Sequence, residues 1–405
     1  MIPFSPPHIS QKAIDEVVKV LKSGWITTGP RTKAFEKEIT AYCGSRSTLC
    51  LNSATAGLEI ILRWFGVKEG DEVILPAYTY SATANVVIHC GAKPVFVDVN
   101  SDDFNINIQA IEKAITSKTK VIMPVDFSGF PCDYDAIKKL VEKCKDKFVV
   151  NSEEQRQLNR ILILSDSAHS FGACYNGKRA GSLADVSVFS FHAVKNLTTG
   201  EGGAVTLNLP EPFDNNTVYN GLCVKTLHGQ NKDALAKTKK GNWKYDIVEA
   251  GYKCNMTDIM AVIGQVGLED YDTKMLPKRK VVCEKYSEVL SSYSWAQTPI
   301  FKNNEHSIES SYHLYPLRIK GITAEQRDAI IQGIFDKDVS VNVHFIPVPQ
   351  TSYYANLGYD MVDYPVTVDN FSREISLPVF YDLTDEMIET VLNAVIDSVE
   401  KILND

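Results

Sequence analysis

From Asn52 onward, short apolar runs alternate with segments of helical period, and few folds accept that alternation. Residues 56–65, 81–90, 108–115 and 134–144 read as helices. Residues 72–75, 94–99, 121–125 and 161–165 read as strands. The strand runs are mostly apolar, as strands buried on both faces are. Strands and helices in turn give a mainly parallel sheet covered by helices on both sides. In such a sheet ligands collect at the carboxyl ends of the strands.

Two residues stand where that architecture puts chemistry. The run 161–164 delivers Asp166, and the run 186–191 delivers Lys195 ahead of the Gly-rich Thr-Gly-Glu-Gly-Gly203. An acid and an amine so placed suit pyridoxal phosphate (PLP). The amine can form a Schiff base with the cofactor aldehyde, and the acid can keep the pyridine nitrogen protonated. Blander readings stand beside this one. Lys195 could be a surface lysine at a helix start, and Asp166 could cap the next helix. His169 could be a neutral, hydrogen-bonded histidine or could lie on the cofactor ring. A phosphate needs amides at a helix start, which Asn52-Ser-Ala-Thr-Ala-Gly57 supplies with Ala54 and Thr55, and Ser190 is a second candidate. Tyr78 and Tyr80 could cover the ring or could simply pack.

A chain of 405 residues is long for one core and favours two domains. We expect a large domain over 1–272 and a smaller α+β domain over 273–405. Helical patterns at 279–290, 323–335 and 383–402, with strands at 312–319 and 339–344, make up the second. Ala13, Ile14, Val17, Val18 and Leu21 share a helical face that should end near Ser23 and Gly24. Residues 148–160 read as a polar surface insertion, and 208–245 as a loop-rich stretch containing Lys-Thr-Lys-Lys-Gly241. A net charge of −8 argues against a nucleic-acid partner. No apolar run reaches membrane-spanning length, so a cytoplasmic protein is expected. Nine cysteines without metal-ligand spacing point to free thiols and to no metal site.

Together these segments resemble the DegT/DnrJ/EryC1/StrS family of PLP-dependent sugar aminotransferases, from about Gly24 to the C-terminus. The motifs that carry the likeness are Ser23-Gly-Trp-Ile-Thr-Thr-Gly-Pro30, Leu75-Pro-Ala-Tyr-Thr-Tyr80, Asp166-Ser-Ala-His-Ser-Phe-Gly172 and Phe189-Ser-Phe-His-Ala-Val-Lys195 with the eight residues after it. Gly251-Tyr-Lys-Cys-Asn-Met-Thr-Asp-Ile259 and Ser376-Leu-Pro378 add to them. The pattern is especially similar to aminotransferases of the 4-amino-4-deoxy-arabinose and pseudaminic-acid pathways. The resemblance implies the aspartate-aminotransferase-like α/β fold (fold type I) and a homodimer with shared active sites. It makes Lys195 the Schiff-base lysine, Asp166 the partner of the pyridine nitrogen, and Tyr80 and His169 the neighbours of the ring. Ala54, Thr55 and Ser190 would hold the phosphate, and Asn255 would reach the phosphate of the other subunit. Thr27, Thr28 and Gly29 would lie near the entrance.

The chain departs from the family pattern in three places. Residues 148–160 are longer than expected, though they should lie away from the cofactor. Cys254 stands where relatives often carry a larger side chain. Residues 343–349 follow the aromatic–proline pattern loosely, so His344 receives no role. The function expected is amino transfer from glutamate to a keto sugar, namely a nucleotide-linked 4-keto-6-deoxyhexose, for polysaccharide or amino-sugar biosynthesis. Pyridoxamine phosphate would stand between the two halves of the reaction. The alternatives are another cyclic ketone (a 3-keto sugar or an inosose) or a PLP-dependent sugar dehydratase, against which Lys195 argues.

Overall fold

The computed structural model describes residues 1–232 and 244–404, so the Lys-Thr-Lys-Lys-Gly241 motif lies outside the described residues. Seven strands form the main sheet: β1 (Ser47–Leu51), β2 (Glu72–Pro76), β3 (Lys93–Val97), β4 (Thr119–Ile122), β5 (Leu162–Asp166), β8 (Val186–Ser190) and β9 (Gly203–Leu207). Two short strands, β6 (Cys174–Tyr175) and β7 (Lys178–Arg179), intervene and pair elsewhere. The spatial order is β1-β9-β8-β5-β4-β2-β3. All neighbours from β8 to β3 are parallel, and β9 alone runs against both β1 and β8. Alternate residues feed opposite faces, as in β5, where Leu162 and Leu164 enter one apolar core and Ile163 the other. Both faces are therefore dry, which is why the runs read as mostly apolar.

The C-terminal part builds a three-stranded antiparallel sheet from β10 (Ala296–Gln297), β13 (Tyr315–Ile319) and β14 (Glu374–Leu377). Its own core gathers Val282, Tyr286, Leu317, Ile330 and Val395. The strands β11 (Lys302–Asn303) and β12 (Ile308–Glu309) join β6 and β7 in a small sheet. The helix Ala324–Phe335 opens on a capping box: Gln326 N donates to Thr323 Oγ1, and Thr323 N donates back to Gln326 Oε1. Large parallel and small antiparallel sheets thus bear out the expected fold class.

Some expected elements are shorter. β4 stops at Ile122 because Pro124 brings no amide to the ladder, and Val125 keeps a lone bridge to Asp166. The 312–319 strand starts at Tyr315, since Tyr312 has φ +54° and cannot extend the strand. Residues 339–344 form no regular strand. They run between the N-terminus and β14, with one bridge from Val339 to Ile2 and one from Asn342 to Ser376. The helix Gln11–Ser23 ends on Gly24 at φ +75°, as expected. Of its apolar residues, however, Ile14, Val18 and Leu21 remain exposed in the single chain.

The 148–160 segment is more than a surface insertion. It contains the helix Glu153–Leu158, capped by Ser152. Gln155 is fully buried and donates to Phe65 O, and Asn151 Nδ2 donates to Asp71 Oδ1. Lys120 Nζ donates to Val149 O. Asp71 and Lys120 sit at the starts of β2 and β4 and Phe65 caps the helix Ala54–Trp64, all at the end of the sheet remote from Asp166. Among the described residues no helix is long and apolar enough to cross a membrane.

Candidate active site

The strand ends bring together what the chain keeps apart. β1, β2, β5 and β8 finish at one edge of the sheet, and β9 begins there because it runs the other way. In register, Gly203 lies between Leu51 of β1 and Ser190 of β8, and Asp166 lies beside Val188. A cavity of about 350 Å³ opens above this edge. Ala54, Thr55, Tyr80, Asp166, His169, Ser190 and Lys195 all line it. Seven of the eight expected site residues thus share one cavity in this chain.

Asp166 closes β5 and is buried. Its Oδ2 accepts from Thr83 Oγ1 at 2.8 Å and its Oδ1 from Ala168 N at 3.3 Å. Burial raises its pKa, while these donors and the Lys195 charge pull it back. A cation at the cavity side would favour the carboxylate further. Lys195 sits in the turn after β8, half-buried. Desolvation pushes its ammonium down to about 8, against the opposing pull of Asp166. A good share of the amine is then neutral near physiological pH, as a nucleophile or base must be.

His169 is buried, and its Nδ1 has no hydrogen-bond partner. Burial holds its pKa well below the usual value, with the Lys195 charge adding to the effect, so the ring is neutral. The neutral form of the blander reading is therefore present, without the bond that reading supposed. Its ring lies 4.3 Å from that of His313 and 5.8 Å from that of Phe345. Tyr80 and Tyr78 separate cleanly. Tyr80 is 62% exposed at the cavity, whereas Tyr78 is fully buried against Phe104 and Phe127.

The helix Ala54–Trp64 points its N-terminus into the cavity. Ser53 Oγ accepts from Ala56 N and Ser53 O from Gly57 N, which leaves the amides of Ala54 and Thr55 for an anion. Gly203 permits this approach: a Cβ there would stand 2.5 Å from Ala54 N. An anion cradle, a buried carboxylate, an amine of lowered pKa and an unpartnered imidazole nitrogen in one cavity fit a PLP-sized cofactor.

Asn255 is the exception. It bridges Leu51 on the flank of β1, and its Nδ2 donates to Thr28 Oγ1, outside this cavity. The Thr27-Thr28-Gly29 loop is tied to the same region, with Thr28 Oγ1 donating to Met256 O and Gly29 N to Asp258 Oδ1. Cys254 is buried beside it, and its carbonyl accepts from Asn52 N. Phe4, His192, Glu201, His313 and Phe345 are among the lining groups that escaped the sequence reading. Glu201 lies inside the Gly-Glu-Gly-Gly203 motif and was within reach. His192 stands in the Lys195 motif and Phe345 in the loosely followed 343–349 pattern, while Phe4 and His313 come from distant segments with no local signal. His344, left without a role by the sequence, also lines the cavity.

Spr1654 of Streptococcus pneumoniae, a proposed sugar aminotransferase solved with pyridoxamine phosphate, superposes with a TM-score of 0.95 at 46% identity over 99% of this chain and 100% of its own. A PLP form of the same protein superposes at 0.94, with 45% identity over 99% of each chain. The spore coat polysaccharide biosynthesis protein SpsC of Bacillus subtilis is 34% identical over 98% of this chain and 97% of its own. Helicobacter pylori PseC, an aminotransferase of pseudaminic acid biosynthesis, superposes at 0.86 with 27% identity over 99% of both chains. Residues 7–396 match one family throughout, and the chain belongs to it: the DegT/DnrJ/EryC1/StrS aminotransferase family.

Proposed function

We propose that this aminotransferase takes an amino group from glutamate and delivers it to a nucleotide-linked 4-keto-6-deoxyhexose. The cofactor is PLP. The observation that carries the reading is the meeting of Lys195 and Asp166 at neighbouring strand ends, beside a free helix N-terminus. The sugar assignment is supported by relatives named for polysaccharide and pseudaminic acid biosynthesis.

When bound, PLP supplies an electron sink that stabilises negative charge at the donor's alpha carbon. The protein's part is to bind, orient and move protons. The amides of Ala54 and Thr55 and the Ser190 hydroxyl hold the phosphate. Asp166 keeps the pyridine nitrogen protonated, and Thr83 fixes the angle of its carboxylate. Tyr80 and His169 flank the ring. Lys195 Nζ would anchor the cofactor and, once released, would carry the proton between the donor's alpha carbon and the C4′ carbon of the cofactor. Its lowered pKa suits both tasks.

The working unit is a homodimer with shared sites. The exposed stripe of Ile14, Val18, Leu21 and Ile26 supports this by offering an apolar face, and Asn255, which lies outside its own chain's cavity, would serve the neighbouring subunit. The chain divides near residue 272 into a large and a small domain. A cytoplasmic setting suits a chain whose cysteines form no disulfide among the described residues.

The test is an absorbance spectrum before and after L-glutamate. A PLP band replaced by a pyridoxamine-phosphate band, then restored by a 4-keto nucleotide sugar, is the expected course. Restoration by an inosose or a 3-keto sugar alone would overturn the substrate assignment. A band that glutamate leaves untouched would overturn the donor.

A further inference from the structure

The Ser376-Leu-Pro378 motif has no part in the chemistry described so far, yet it lies behind the cavity wall. Ser376 and Glu374 are fully buried on β14. The segment that crosses β14 is paired to it by two backbone bonds, Asn342 N to Ser376 O at 3.1 Å and Ser376 N to Asn342 O at 2.7 Å. Two residues further on, side chains continue the pairing. His344 N donates to Glu374 Oε2 at 3.0 Å, His344 Nδ1 meets Ser376 Oγ at 2.9 Å, and Ser376 Oγ meets Glu374 Oε1 at 2.5 Å. His344 itself faces the cavity that holds Lys195 and His169, and its ring stacks on Phe4 at 5.4 Å. With Nδ1 engaged behind the wall, Nε2 is the ring nitrogen left for a ligand.

We infer that Glu374 and Ser376 are positioning residues that decide which nitrogen of His344 carries the ring proton, and so whether the cavity meets a hydrogen-bond donor or an acceptor at Nε2. The importance of the device rests on the cavity being the site of amino transfer. The logic is a count of protons. The Ser376 hydroxyl has one. When Glu374 is ionised, that proton goes to Oε1, and Ser376 Oγ can only accept from Nδ1–H. Nε2 is then a bare acceptor. When Glu374 is protonated, its own O–H donates to Ser376 Oγ. The serine proton turns to Nδ1, and Nε2 carries the hydrogen. No net proton enters or leaves His344, and only its tautomer changes.

The surroundings allow both states. Burial pushes Glu374 up to about 8, while Ser376, the His344 amide, Arg327 and Arg318 pull it back. Tyr78 faces the same carboxyl from the loop after β2. Burial presses His344 down to about 3, helped by the Lys195 charge, and His169 and His313 face it across the cavity as neutral rings. His344 therefore stays neutral throughout the working range while Glu374 titrates. In neutral solution the cavity meets Nε2–H, a donor suited to a carbonyl or carboxylate oxygen of a substrate.

The experiment is nitrogen NMR of the PLP-loaded full chain labelled in its eight histidines, with His344→Asn used to assign the His344 ring. Protonated and bare ring nitrogens resonate far apart, and the readout does not depend on turnover. The expected result is a swap near pH 8, with the Nε2–H form favoured about tenfold or more at pH 6.5 and disfavoured similarly at pH 9.5. Glu374→Gln supplies the decisive variant. Its carbonyl must stay opposite His344 N, so its amide NH₂ faces Ser376 and always donates. The Nε2–H form is then locked from pH 6.5 to 9.5. Ser376→Ala, as a second variant, breaks the relay and leaves a tautomer ratio that pH does not move. A wild-type ring whose tautomer ignores pH would overturn the inference, and so would a Glu374→Gln or Ser376→Ala ring that still swaps. Either result would leave the glutamate spectrum, and the function it tests, untouched.

Discussion

Adding one methyl group at Gly203 tests the phosphate cradle most directly. Gly203 starts β9 with Leu51 on one side and Ser190 on the other. A Cβ there would lie 2.5 Å from Ala54 N, 2.6 Å from the Ser53 carbonyl carbon and 2.8 Å from Phe189 O. All three are backbone atoms, so no side chain can swing aside. Ordinary contact needs about 3.4 Å, so the start of the helix must retreat by about 0.9 Å. Overpacking of this kind costs about 1–3 kcal/mol of stability. The retreat also takes the Ala54 amide out of hydrogen-bond range of an anion seated for the native helix. A lost bond to a charged group is worth about 1.5–3 kcal/mol, or roughly 10- to 150-fold in affinity. Gly203→Ala apoprotein should be titrated with PLP through its visible band, beside thermal melts without cofactor. Weaker PLP binding by that factor and a lower Tm are expected. PLP affinity within threefold of wild type would refute the placement of the phosphate at Ala54 and Thr55, whatever the melting curve shows.

Three more outcomes follow from named contacts. Thr83→Val removes the 2.8 Å donor to Asp166 Oδ2 and leaves a buried carboxylate oxygen short of a partner; a loss of about 1–3 kcal/mol in a urea melt, with weaker PLP binding, is expected. Asp258→Ala should cost about 3 kcal/mol or more in the same melt, because its carboxylate accepts from Gly29 N, Arg31 N, Thr32 N and Thr32 Oγ1 at the start of the helix Pro30–Cys43. Desolvation favours neutral Lys195, whose neutral fraction grows as pH rises through about 8. The glutamate half-reaction, followed by stopped-flow absorbance, should therefore quicken about tenfold from pH 7 to pH 9; a flat profile would remove Lys195 as the base.

What the sequence disclosed follows from range. Asp166 and Lys195 each end a local apolar run, so periodicity alone places them at strand tips. The small residues of Asn52-Ser-Ala-Thr-Ala-Gly57 mark a helix start in the same local way. The direction of β9 leaves no trace in a pattern of buried residues, yet it brings Gly203 to the cavity. Tyr78 and Tyr80 share a motif, and only the course of the chain after β2 separates the buried ring from the exposed one. The helix Pro30–Cys43 begins after Gly29 with no capping side chain of its own. Its cap is Asp258, more than two hundred residues on, which no local rule could find. Phe4, His313 and Phe345 reach the cavity from equally remote segments. The 339–344 strand failed for the opposite reason: its residues had strand character but were given only one bridge on each side.

The main sheet has two ends of unlike character. At one, loops from β1, β2, β5 and β8 leave room for small molecules. At the other, Asn151 and the Val149 carbonyl stitch the 148–160 segment to the starts of β2 and β4, and Gln155 ties it to the end of the helix Ala54–Trp64. Gln157 stands exposed on that stitched segment. It gives the experimenter a handle: a dye, a bead or a sensor chip attached there grips the molecule at the far end of the sheet and leaves the open edge free to trade substrates with solution.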